Sequence, residues 1–290
     1  RRVASQDQIQ GRSESCAGTS CGANISTIRP GSGEQMALTF ERGLWTEAVL
    51  NAKANLRVIL FVVGVLIAWT VFTNVTGNNS SAVSTIIWLM VIIPAHAKIL
   101  RGQAGFAALS QKGVFTGFIW RSLLFFVAGL IPAFLTLPLS GQLAGDNWVL
   151  FIFLPVYGIC QALLLSIWGT WFPSVVADGD KSLAAAWQRG KRTFVYVFLR
   201  LIFCNGLILI LAFGMLLIFY SFVEAEGPIW SQTTGLDVRV LILVTTFTIA
   251  MAVQFVMMAT ILSRAYLIAE DIKTTHRNAL LEDQRQRQMA

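Results

Sequence analysis

Six long apolar stretches, none holding more than a single arginine and none an acidic residue, dominate this chain, at residues 56–73, 83–97, 118–139, 148–172, 194–223 and 238–263. A backbone that crosses hydrocarbon has no water to bond, so its N–H and C=O groups must be satisfied within the segment, as in a helix. A helix needs about 20 apolar residues to span the bilayer core, and these runs match that scale. The run at 83–97 is the shortest, where a re-entrant or interfacial segment competes with a true crossing. Composition agrees: 55% of residues are hydrophobic and 13% charged, against roughly 25% charged in soluble domains. The expected fold class is all-α, a polytopic integral membrane protein of six transmembrane helices. Little chain remains for a water-soluble catalytic domain.

Charge sidedness supplies the orientation. With six crossings, twenty-one of the 22 Lys and Arg residues fall on one side together with eleven Asp and Glu, whereas Arg239 shares the other side with Asp146, Glu224, Glu226 and Asp237. The positive-inside rule then places both termini in the cytoplasm of a bacterial inner membrane. Removing the crossing at 83–97 would break this alternation. The formal net charge of +7 is thereby assigned to anionic lipid of the inner leaflet and not to nucleic acid. Trp45, Trp148, Trp171, Trp187 and Trp230 lie at or near span ends, the headgroup level where amphipathic rings anchor.

Three regions follow. Residues 1–35 are polar, rich in Ser, Gly and Gln, and read as a disordered arm; Met36 directly precedes the first patterned residues, so the arm is expected to lie upstream of the natural start. Residues 36–264 form the membrane domain, and residues 265–290 form a cytoplasmic helical tail continuing the sixth span. Cys16 and Cys21 supply too few ligands for a zinc site, and Cys160 and Cys204 read as small apolar residues within spans. No structural disulfide is expected in a reducing cytoplasm. The sequon matches at Asn74 and Asn79 sit in a short loop beside the membrane and read as coincidence.

Segments before spans one, three and five share an Ala-x4-Lys spacing: Ala48 with Lys53, Ala107 with Lys112, and Ala186 with Lys191. Three repeats of an interfacial helix plus a two-span hairpin would produce it. So would membrane-interface physics, which favours small residues towards lipid and a snorkelling Lys. The third segment is richest. Pro173 is expected to end span four because it lacks the donor to continue a helix, Asp178-Gly179 to form a turn with Gly at positive φ, and Ser182 to cap a helix. That helix presents Leu183 and Trp187 to the interface, and Lys53, Lys112, Arg189, Lys191 and Arg192 are the candidate contacts to lipid headgroups.

This arrangement of Pro173, Asp178-Gly179, the run Ala184-Ala185-Ala186-Trp187 and the basic pair Lys191-Arg192 resembles a group of bacterial multi-span proteins related to the membrane domain of glycerophosphodiester phosphodiesterases. Leu44-Trp45-Thr46-Glu47-Ala48-Val49-Leu50-Asn51-Ala52-Lys53-Ala54-Asn55 is similar to the interfacial segment that opens members of that group. The resemblance covers roughly residues 36–264 and implies a six-span membrane domain. The phosphodiesterase activity belongs to a separate soluble barrel that this chain has no segment to form.

Within the spans, ionisable residues would mark function, because burying them is costly. No Asp or Glu lies inside a run, and Arg121 and Arg200 sit where their stems can snorkel, which disfavours a proton-coupled pump. His96 reads as a hydrogen-bonded structural residue, since a bundle haem needs a second axial ligand; no cofactor or metal is expected. Gln161, Asn205 and Gln254 remain. Their ordinary use is interhelical hydrogen bonding; the functional alternative is a polar lining for a lipid headgroup or solute, opened by bends at Pro94, Pro132 and Pro155.

The leading expectation is a non-enzymatic accessory or organising component contacting anionic lipid, another membrane protein or a second copy of itself. The alternatives are a transporter or lipid-handling protein with a cavity between kinked helices, and an accessory subunit of an energy-conserving membrane complex.

Overall fold

The computed structural model describes residues 43–76, 81–111, 113–135, 154–208, 210–211, 214, 230–231 and 235–289. The fold is helical. Its elements are α1 (Leu44–Ala54), α2 (Leu56–Thr76), α3 (Ser81–Arg101), a 3₁₀ turn (Gly105–Ala108), α4 (Val114–Phe134), α5 (Leu154–Trp168), α6 (Trp171–Val176), α7 (Leu183–Arg200) with a π-helical turn (Leu201–Asn205), and α8 (Val238–Met289). Two-residue strands β1 (Trp230–Ser231) and β2 (Gly235–Leu236) pair antiparallel ahead of α8. Among the described residues, four helices are long and apolar enough to cross a membrane: Leu56–Thr76, Val83–Arg101, Val114–Pro132 and Val238–Thr275, with Pro155–Trp168 a shorter apolar helix. The expected crossings at 148–172 and 194–223 fall partly outside the described residues.

The helices alternate in direction, so the ends that carry the basic residues gather at one level, here called the basic end. Val58, Val62, Val63 and Leu66 recur at helical spacing along one face of α2 and pack with Val91 and Ala95 of α3 and Ala252, Val256 and Ala259 of α8. Ala95, Ala252 and Ala259 are fully buried, and such small residues let apolar helices approach closely. A second cluster joins α3, α4, α6 and α8 around Phe118, Phe125 and Phe172, whose rings stand 5.5 Å (Phe118 to Phe172) and 5.0 Å (Phe125 to Phe172) apart. The outer faces are apolar as well: Leu60, Phe61 and Phe72 of α2 and Trp120, Leu124 and Ile131 of α4 are exposed.

Local structure departs from the sequence reading at four points. The shortest apolar run proves to be a full helix, because α3 extends past residue 97 through Lys98 to Arg101, two basic residues suited to a helix C-terminus. It ends at Gly102, which takes φ +71° and donates its N–H to Lys98 O at 3.2 Å, a left-handed cap.

Pro173 does not terminate the fourth apolar run. The helix breaks earlier, after Trp168, and Pro173 occupies the first turn of α6, where its missing N–H costs nothing. A proline disturbs the carbonyl four residues before it; that residue is Gly169, at the break.

In the turn that follows, Asp178 and not Gly179 takes the left-handed conformation, at φ +53°. Gly179 instead packs against Tyr266, whose hydroxyl a Cβ there would displace.

The three Ala-x4-Lys segments also take three conformations. The first is a separate helix, the second contains the 3₁₀ turn, and the third begins a helix that runs unbroken from Leu183 to Arg200 and on into the π-helical turn. Ser182 caps it, its Oγ accepting from Ala185 N at 3.2 Å. Ala48 and Ala186 are buried while Ala107 is exposed.

α5 and α7 pack backbone to backbone at Gly190, where an added Cβ would strike the carbonyl of Ile167. Backbone cannot rotate away as a side chain can, so Gly190→Ala is expected to lower stability by about 2 kcal/mol in equilibrium unfolding in detergent. Gly64→Ala, whose Cβ meets nothing within 4 Å, is expected to be neutral or to stabilise by about 0.5 kcal/mol.

Candidate functional site

Polar residues concentrate in a buried layer at the basic end, beneath α1. Asn51 and Asn55 lie one helical turn apart on the inner face of α1 and its C-terminal cap, and both are buried. Asn51 Nδ2 donates to Ala95 O of α3 at 3.0 Å and to Thr260 Oγ1 of α8 at 3.2 Å. Asn55 Nδ2 donates to Asn51 Oδ1 at 2.9 Å, and Asn55 Oδ1 accepts from Gly105 N at 2.8 Å. Thr260 in turn donates to Val256 O at 2.8 Å. Two amides thus join α1, α3, α8 and the loop after α3. Leaving such a group buried and unbonded would cost about 1–3 kcal/mol.

One turn along the same seam, His96 Nδ1 lies 2.7 Å from Ser263 Oγ. His96 is fully buried, its ring 5.7 Å from that of Phe118, and its Nε2 has no hydrogen-bond partner. The next residue of α8, Arg264, pairs through Nε with Glu47 of α1, with 9% and 14% of the two side chains exposed. Farther along α8, Glu270 holds Arg189 Nη1 at 3.3 Å. Arg189 also donates to Asp180 O at 3.0 Å and stacks over Tyr266 at 5.1 Å.

The loop between α6 and α7 is held by arginines from three helices. Arg101 of α3 bonds Asp178 Oδ2 at 2.7 Å, Arg121 of α4 donates to Lys181 O at 3.4 Å, and Arg189 of α7 holds the Asp180 carbonyl. Trp171 Nε1 donates to Lys181 O at 2.6 Å and its ring carries Arg121 at 4.5 Å. The hydrogen bond and charge of Lys181, then those of Arg101, hold the Asp178 carboxyl below its usual range. Asp180 is lowered too, chiefly by the backbone N–H of Ser182, which it accepts at 2.9 Å.

The expected site residues divide. Gln161 Nε2 donates to Phe125 O at 3.0 Å, an α5–α4 bond made across Gly129, where a Cβ would collide with the glutamine. Gln254 has a buried Oε1 without a partner. The side chain of Asn205 and the whole of Lys112 lie outside the described residues; the Asn205 backbone belongs to the π-helical turn.

Lys53, Lys191 and Arg192 are exposed; Lys191 sits over Trp187 at 4.9 Å and Arg192 donates to Ala269 O at 3.4 Å. Arg189, expected at headgroups, is turned inward at 4% exposure, because Glu270 and the Asp180 carbonyl supply its partners inside the protein. Asn51, Asn55, Thr260 and Ser263 were missed by the sequence reading. The stripe Leu44, Ala48, Asn51, Asn55, spaced four, three and four residues apart, is the signal that could have found the first two.

Among the described residues, no cluster of His, Cys, Asp and Glu is placed to hold a metal ion. Comparisons with family models, with curated proteins and with solved structures find no match to this chain.

Two outcomes follow from this geometry. Arg264→Met removes the guanidinium that pairs with the mostly buried Glu47 and is expected to cost about 3–5 kcal/mol, whereas the double variant with Glu47→Leu should cost clearly less than the sum of the single changes; a double-mutant cycle in equilibrium unfolding measures it. Because the folded carboxyl of Asp178 titrates below its unfolded value, its stabilisation of the loop is fully present above the ordinary aspartate range. It is lost as pH falls through the lowered value. Trp171 fluorescence should report a loop transition in that acidic window, absent in Asp178→Asn.

Proposed function

We propose that this chain is a non-enzymatic six-span protein of a bacterial inner membrane with both termini cytoplasmic, an accessory or organising component seated on anionic lipid or on another membrane protein. The observation that carries this reading is α1. Its inner face is bonded into the protein through Asn51, Asn55 and Glu47, while its outer face exposes Trp45, Val49 and Leu50 beside Lys53. That is the division of an interfacial helix, with apolar side chains for the acyl boundary and a cation for phosphates. At the same level Trp187 and Lys191 repeat the pairing on α7. Most polar groups of the buried layer bond each other and so bind helices together, as an organising scaffold requires. The likeness of the α1 segment and of the loop before α7 to the glycerophosphodiester phosphodiesterase membrane-domain group belongs to this proposal.

A second reading, a transporter or lipid-handling protein, draws on Gln254, whose buried Oε1 lacks a partner, and on Pro94 and Pro132 within α3 and α4. If the amide is only a packing residue, replacing it with an apolar isostere removes an unsatisfied group. Gln254→Leu is then expected to leave stability unchanged or to raise it by about 1 kcal/mol; a loss of similar size favours a lining role.

The leading reading is tested by native mass spectrometry of the protein extracted from its own membrane without detergent. It is expected to carry enriched anionic phospholipid or a second membrane polypeptide in fixed ratio. Release of the chain with neither overturns the proposal.

A further inference from the structure

Arg121 stands two turns inside α4, a helix long and apolar enough to cross a membrane. Its Nη1 donates to Gly117 O at 3.0 Å, its Nη2 donates to Lys181 O at 3.4 Å, and its guanidinium carbon lies 4.5 Å from the centroid of the Trp171 ring. Nε is buried without a hydrogen-bond partner. Gly117 leaves room for this pose, since a Cβ there would come within 3.0 Å of Nη1. Among the described residues no carboxylate pairs with Arg121. A guanidinium at such a depth, met only by carbonyls and a ring, is costly unless an anion joins it.

Two more cations hold the same loop. Arg101 Nη2 reaches Asp178 Oδ2 at 2.7 Å, and Lys181 Nζ reaches Asp178 Oδ1 at 3.1 Å. One carboxylate therefore serves two cations. Asp180, the other acid of the loop, accepts the Ser182 N–H at 2.9 Å, and Arg189 is paired with Glu270. Arg101 and Lys181 keep 26% and 48% of their side chains exposed, and a guanidinium or ammonium carries more donors than these contacts use. Beside Arg121, the exposed residues Leu124, Val127 and Ile131 continue along α4 at helical spacing. The cations thus adjoin an apolar stripe able to take acyl chains.

We propose that Arg121, Arg101 and Lys181 form a fixed site for the phosphate of an anionic phospholipid, whose acyl chains lie along Leu124, Val127 and Ile131. This rests on the proposal that the basic end faces an anionic leaflet, and adds to it a defined place. The planar guanidinium fork matches phosphate geometry with paired hydrogen bonds, which a mobile surface lysine does not provide. A zwitterionic headgroup would bring an ammonium to a place where the one bridging carboxylate, Asp178, already holds two cations, so the site favours a headgroup without one.

The test uses the full chain in nanodiscs of equal phosphatidylglycerol and phosphatidylcholine, with native mass spectrometry counting the lipids retained as the disc is stripped. The wild type is expected to retain phosphatidylglycerol selectively. Arg121→Gln is expected to reduce that retention about ten-fold, the equivalent of about 1.4 kcal/mol for one charged hydrogen-bond donor. Arg57→Gln, an equal loss of charge at an exposed position at the start of α2, leaves it unchanged.

Equal retention in wild type and Arg121→Gln, or an equal drop in the Arg121 and Arg57 variants, overturns the site and leaves only a general attraction to anionic lipid. No selectivity in the wild type overturns the leaflet proposal as well. Displacement of phosphatidylglycerol by millimolar glycerol 3-phosphate would assign the site to a soluble phosphate ester and overturn the lipid assignment. Should Arg121→Gln not fold, as judged by its helical circular dichroism, Lys181→Gln takes its place. That change removes an exposed ammonium but keeps the Lys181 carbonyl to which Arg121 and Trp171 donate, and retention equal to the wild type in it overturns the site.

Discussion

An amide buried away from water must find partners, and in this chain the two amides of Asn51 and Asn55 find them on three other elements at once. Ala95 O, Thr260 Oγ1 and Gly105 N are the groups they reach. The arrangement fixes α1 against α3 and α8 at a set depth and rotation, because each hydrogen bond tolerates only a narrow range of distance and angle. Apolar contacts alone would allow the helices to slide, since lipid and leucine are equally good solvents for one another. Once α1 is fixed, Glu47 meets Arg264, its outer apolar residues face away from the bundle, and α8 is aligned so that Ser263 reaches His96 and Glu270 reaches Arg189.

A second constraint acts on the loop between α6 and α7. Its backbone carbonyls face two arginines and a tryptophan, a third arginine holds its Asp178 carboxylate, and Gly179 packs against the Tyr266 hydroxyl, which a Cβ there would displace. The loop and the amide layer share α3 and α8. The basic end is therefore one connected network, and its charges serve the protein's own packing before they serve any surface. Arg189 is the clearest case, a cation in a basic helix that is nevertheless spent on an internal carboxylate.

Much of this was legible in the sequence at the level of elements. Long apolar runs interrupted by no more than one arginine located α2, α4 and α8, because hydrocarbon leaves a backbone few alternatives to a helix. Ser182 was readable as a cap because its hydroxyl is suited to an orphan N–H of the next turn. Boundaries set by a residue's distant effect were harder. Pro173 marks a break at Gly169, and Lys98 and Arg101 extend α3 where a count of apolar residues stops short.

The site was less legible than the fold. Asn51 and Asn55 gave no sign of their role, since periodicity cannot distinguish a polar face turned to water from one turned to a carbonyl. Likewise Arg189 and Arg192 stand three residues apart in the sequence, but only the first is turned towards Glu270. Partners such as Glu47 with Arg264, 217 positions apart, become visible only when the helices are assembled. The measurement that bears most directly on the account is hydrogen–deuterium exchange of the full chain in nanodiscs, resolved by peptide. If the amide layer holds the basic end together, Leu44–Ala54 will exchange as slowly as the adjoining parts of α3 and α8. Rapid exchange of that segment while α3 and α8 stay protected would contradict it.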